Sequence, residues 1–161
     1  MTSAVHAVSR IDKWISAGAI LVLLAAGTAL ARGQTDWGKV SHTVWLHLGT
    51  VILAMVLTPV MLLRQRGDRW HRWLGRIWVA ALFLTALASM NLRQINHGQF
   101  SVIHILSLWT MFQAPMAMIH ARSGRIDKHR SSVRGLVIGG LVIAGLFTFT
   151  PDRLLGHWLL A

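Results

Sequence analysis

The stretch VWLHLGTVILAMVLTPVMLL-RQRGDRWHR-WLGRIWVAALFLTALASMNL, Val44–Leu92, decides the fold. Two apolar runs, Val44–Leu63 and Trp73–Leu92, flank a short basic gap. Each has about the 20 residues that cross a ~30 Å hydrocarbon core at 1.5 Å per residue. Neither alternates with period two, so neither reads as a barrel strand. A helix is then the structure that satisfies the backbone of such a run in lipid.

Three further runs repeat the pattern on either side: Trp14–Ala31, Val102–Ala121 and Gly135–Thr150, the last stopped by Pro151. The expected fold is all-α and integral to a membrane. Five transmembrane helices, at about 14–31, 44–63, 73–92, 102–121 and 135–150, form a single domain over residues 1–161. Ala29-Leu30-Ala31 has the look of a signal-peptidase site, but the run before it is longer than a usual signal core and reads as the first span.

Composition agrees. The 161 residues are 54% hydrophobic and 13% charged, where a soluble domain carries about 25% charged. The formal charge of +11 does not point to nucleic acid, because no binding motif accompanies it. Cysteine is absent, which excludes disulfides, thiolate metal sites and c-type haem attachment. Redox chemistry would need a group held by His or Met, and nine His are present.

The basic residues also give an orientation. Arg64, Arg66, Arg69, Arg72 and Arg76 follow the second run; Arg122, Arg125, Lys128, Arg130 and Arg134 follow the fourth. The other gaps hold Arg32 and Lys39, and Arg93. By the positive-inside rule the basic gaps and the N-terminal tail with Arg10 and Lys13 face the cytoplasm, and residues from Pro151 onward face the periplasm of a bacterial inner membrane. Trp14, Trp45, Trp70, Trp73 and Trp158 stand at run ends as interfacial anchors. Trp78 and Trp109 lie deeper, as core filler, as lipid contacts or against a ring cofactor.

An internal repeat organises the rest. His71-Arg72-Trp73-Leu74-Gly75-Arg76 and His129-Arg130-Ser131-Ser132-Val133-Arg134 share the pattern His-Arg-x-x-x-Arg. His47 and His104 are 57 positions apart, and His71 and His129 are 58 apart; Pro59 and Pro115 fall at similar depths. Helices two to five are therefore expected to form a four-helix bundle of two repeated hairpins, related about the membrane normal. Small residues at Ala81, Thr85 and Ser89, and at Gly140, Ala144 and Thr148, suit close helix contact.

With His47-Leu48-Gly49 opening one helix, His71-Arg72-Trp73-Leu74-Gly75-Arg76 the next, and Lys128-His129-Arg130 before the last, the chain resembles a bacterial membrane family catalogued as domain of unknown function 2306. The resemblance covers roughly Val44 to Thr150 and implies an integral membrane protein without a settled activity. The plan is also similar to small b-type membrane cytochromes, an analogy of fold. Those usually place two ligands on one helix about four turns apart, which here only His104 and His120 do.

Intramembrane His is costly unless used, and haem b takes two axial imidazoles. His47 with His104, and His71 with His129, are the candidate haem-iron ligands. Arg72, Arg76, Arg130 and Arg134 are candidate partners for haem propionates or for lipid phosphates. Against this stands a plainer reading. His47 and His104 would be interfacial groups bonded to backbone or water; His71 and His129 would belong to a phospholipid anchor.

His120 has Leu63 at its matching position. His42, His97 and His157 lie in outer segments. No carboxylate is expected inside a helix, and Glu is absent. Proton-coupled transport, paired-carboxylate hydrolysis and carboxylate-bound metals are thereby disfavoured. No phosphate-binding glycine loop or nucleophile elbow is present. The expected function is electron transfer through haem b, with the bilayer and possible quinone or membrane-subunit partners. The alternative is a non-catalytic accessory subunit of a larger membrane complex.

Overall fold

A computed structural model describes residues 8–92 and 102–160. Every regular element among them is helical. Helix α1 (Arg10–Arg32) leads through a 3-10 segment (Gly33–Lys39) into α2 (His42–Leu63), followed by α3 (Arg69–Ser89) and α4 (Val102–Arg122). Helix α5 spans Ile126–Phe147, and a short α6 spans Leu154–Leu160. His6, Arg93 and His97 lie outside the described residues.

The helix starts are written in the sequence. Ser9, Ser41 and Asp68 cap α1, α2 and α3, their side-chain oxygens accepting the backbone N–H groups of Asp12, Val44 and His71. The tight turns into α3 and α5 each use a glycine with positive φ, Gly67 at 80° and Gly124 at 69°, a conformation that side-chain-bearing residues avoid. Between Leu136 and Ile143, α5 widens into a π-helix, and the Ala144 N–H reaches the Gly139 carbonyl. Trp109 and Thr110 crowd Gly139 and Gly140 in that wide turn: a β-carbon at Gly140 would lie 3.3 Å from Thr110 Oγ1.

Arg10–Lys39, His42–Leu63 and Ile126–Phe147 are long and apolar enough to cross a membrane, as a multi-pass membrane protein requires. Helices α3 and α4 have a suitable 21 residues each. Their apolar character is diluted by Arg69, His71, Arg72 and Arg76 in one, and by His104, Ser107, Thr110, Gln113 and His120 in the other. The packed surfaces are lined with small residues. Ala19, Ala29, Ala54, Ala114 and Ala117 are fully buried, while Leu21, Leu24, Ile105, Leu108, Phe112 and Phe147 are exposed. Small residues inside and large apolar ones outside is the pattern of helices packed in lipid. On a soluble protein so wide an apolar exterior would be an aggregation surface.

Sequence neighbours pack as spatial neighbours from α1 to α5, and α1 returns to touch the π-helical part of α5 and α6. Helix α1, which the sequence pattern left outside the repeat, thus packs directly on α5. Gly145 of α5 permits that approach, since a β-carbon there would lie 2.6 Å from Val22 Cγ1. Three expectations are corrected. Helix α5 begins at Ile126, not Gly135, so His129, Arg130 and Arg134 are helical residues. Asp12 and Asp127 stand in the first turns of α1 and α5, where no helical carboxylate was expected. Trp158 is not an exposed anchor: it is 4% exposed and its ring covers Gly33, because α6 folds back onto the end of α1. Trp14, Trp70 and Trp73 are exposed.

Candidate functional site

At one end of the molecule the start of α1 meets the α2–α3 turn and the third turn of α5. Asp12, 1% exposed, holds them together. Its Oδ1 accepts Arg134 Nε at 2.9 Å, and its Oδ2 accepts Arg66 Nη2 and, at 2.7 Å, the Ser9 hydroxyl. Arg134 Nη2 also donates to Ser9 Oγ at 3.0 Å. One carboxylate thus joins α1, the α2–α3 turn and α5. A buried charge persists only with such pairing. Nearby, Asp68 accepts the His71 N–H at 2.6 Å and Arg64 Nη2 at 2.6 Å, and Arg72 Nη1 donates to the Gly67 carbonyl.

Behind this ion pair lies a cavity of about 390 Å³, within the size range of small-molecule sites. Its apolar wall includes Met61, Leu62, Trp78, Val79, Val133 and Val137. Trp78 is fixed there by a 3.0 Å bond from Nε1 to Thr58 Oγ1, whose own proton goes to the Ala54 carbonyl at 2.8 Å. Its polar edge carries His71, His129, Arg66, Arg72, Arg76, Arg122, Arg130 and Arg134. Among the described residues Asp12 is the single carboxylate on that wall, and two guanidiniums already pair with it. The lining is therefore mainly apolar with a surplus of cationic side chains, a field that draws anions and repels free metal cations.

The two imidazoles differ. His129 Nδ1 donates to the Ala117 carbonyl at 2.8 Å, a bond that in a neutral imidazole places the lone pair on Nε2. His71 Nδ1 is buried with no hydrogen-bond partner among the described residues, and so is Arg130 Nε.

The structure therefore brings His71, His129, Arg72, Arg76, Arg130 and Arg134 to one cavity. Arg134, like Arg66, is committed to Asp12. His47 and His104 do not line this space. They lie near the opposite end, on helices that both pack against α3. His47 Nδ1 donates to the Thr85 carbonyl at 3.0 Å, and Thr85 Oγ1 donates to Thr50 at 2.8 Å. His104 is buried, and one turn further on Ser107 bonds Ser89 of α3 at 2.6 Å. His120 sits 3.2 Å from the Ser132 hydroxyl, which accepts from Gln113 at 2.9 Å. His42 and His157 are exposed. Among the described residues no three His, Asp or Glu gather as a metal-ligand set.

Asp12 is the residue that the sequence hid. Flanked by Arg10 and Lys13 it reads as a charged tail. The available signal was its isolation, one acid at the start of an apolar helix in a chain with three basic segments.

No family model, curated protein or solved structure matches the chain, so the resemblance drawn from its motifs rests on those motifs alone.

Proposed function

We propose that this protein is a five-span protein of the bacterial inner membrane that holds haem b between His71 and His129 and serves electron transfer. The observation that carries the reading is the shared cavity. Two imidazoles from matching positions of the two hairpins border one apolar space edged by guanidiniums. In this reading α1 to α5 all cross the bilayer, with α2–α3 and α4–α5 the two repeated hairpins of a bundle. The basic end faces the cytoplasm and α6 the periplasm.

The residues present fit the group. A neutral imidazole whose Nδ1–H is tied to a main-chain carbonyl, as in His129, presents Nε2 as a metal ligand of fixed direction. Trp78, Met61 and Val133 offer apolar surface to a flat ring. Arg72, Arg76 and Arg130 stand at the edge for two carboxylates. Arg134, held by Asp12, contributes charge without a free fork. The cationic edge suits a group with net negative charge, as a porphyrin with two propionates has, and disfavours a bare divalent ion. Haem b in this place supplies a one-electron couple. The lipid setting makes a quinone the natural electron partner. This geometry favours His71 and His129 over His47 and His104, which lie away from the cavity.

The test is a visible spectrum of detergent-purified protein, from cells supplied with haem and after titration with hemin. The expected result is a Soret band that shifts on dithionite and is lost in the His71→Ala/His129→Ala double variant while helical circular dichroism persists. A protein that stays colourless through the titration overturns the reading.

A further inference from the structure

The two cavity imidazoles are matched in sequence but not in support. His129 is anchored through Nδ1 to the Ala117 carbonyl, across the α4–α5 hairpin. Among the described residues the matching bond is not made at His71, whose Nδ1 is buried without a partner there. The backbone of His71 is instead held by the Asp68 cap, which fixes the main chain and leaves the ring unsupported. An imidazole bonded through its second nitrogen is a stiffer and more basic ligand than one without that bond. A buried ring nitrogen without a partner also favours any ring movement that brings it to one or to water.

From this difference we infer that His129 is the fixed ligand of the site and His71 the exchangeable one. The cavity then accepts a small added ligand, such as carbon monoxide or imidazole, on the His71 side. The inference rests on the haem-binding reading above and adds a ligand-binding property that simple electron transfer does not need. The wall near His71 is formed by Gly75 and the flexible Met61 side chain, whose methyl stands 3.2 Å from where a Gly75 β-carbon would lie and can move aside for a small ligand.

The experiment uses the full-length haem-loaded protein in detergent. Carbon monoxide added to the dithionite-reduced sample is expected to shift the Soret band of most of the protein, without any mutation. The His71→Ala variant is expected to keep its haem through size-exclusion chromatography and to bind added imidazole. His129→Ala is expected to bind hemin at least tenfold more weakly. A reduced wild-type spectrum unmoved by saturating carbon monoxide overturns the inference while leaving haem binding intact. Equal loss of haem in the two single variants overturns it as well. A wild-type protein that takes up no hemin overturns both this inference and the function it rests on.

Discussion

Arg134 of α5 donates through Nε to Asp12 of α1 at 2.9 Å, across 122 residues of sequence. With Arg66 on the other oxygen, the carboxylate ties together the chain's first helix and both basic segments. Asp12→Ala would leave two partly buried guanidiniums without their counter-charge. The expected loss is about 3 kcal/mol, the low end for a broken buried pair because both arginines still reach water. Thermal unfolding in detergent would show it. An unchanged midpoint would mean that α1 is held by its apolar contacts alone.

At the other end Trp158 lies over Gly33, where an added β-carbon would come within 2.1 Å of the indole. The ring cannot yield by a small shift, so Gly33→Ala should displace α6 and destabilise by about 1–3 kcal/mol, the usual range for overpacking. In the Trp158→Ala background the same change should cost far less. That coupling is the readout of a double-mutant cycle, and simple additivity would place the strain elsewhere.

Stability should fall in acid for a nameable reason. Asp68 is held below its ordinary carboxylate value, first by the His71 backbone N–H and further by Arg64. A depressed folded pKa gives stabilisation that is complete above the unfolded value of about 3.9 and is lost as pH falls through the lower folded value. Asp68→Asn should therefore reduce stability at neutral pH and flatten the dependence below about pH 4. A variant that kept the parent's acid limb would assign that limb to other carboxylates.

The helices were legible because apolar runs of spanning length stand out from the basic gaps between them, and the Val44–Leu92 stretch already displayed two runs and a basic turn. His-Arg-x-x-x-Arg occurs twice at matched spacing, and the His of each copy lines the same cavity. Three things were not legible. The start of α5 was hidden because Arg125 to Arg134 reads as a loop by charge, yet its polar residues form helical turns outside the apolar run. The fold-back of α6 was hidden because a terminal Trp looks the same whether it meets headgroups or covers a glycine. The Asp12 ion pair was hidden because it depends on which helices are neighbours, which local pattern does not encode.

The committed state of Arg134 separates it from Arg130, though the repeat makes the two look alike as anion partners. Arg130 lines the cavity with its Nε unpaired, whereas Arg134 already serves Asp12 and Ser9. A charge-assisted hydrogen bond contributes about 1.5–3 kcal/mol, so Arg130→Ala should weaken hemin binding by roughly tenfold or more, since about 1.4 kcal/mol is tenfold. It should leave the melting temperature of the ligand-free protein near that of the parent, because no internal partner is abandoned. Arg134→Ala should do the reverse: the ligand-free protein melts earlier, while hemin affinity at a temperature where it stays folded changes by less. Parallel hemin titrations and melting curves of the two variants decide it. Equal affinity losses with equal stability losses would mean that the Asp12 ion pair opens when the cavity fills.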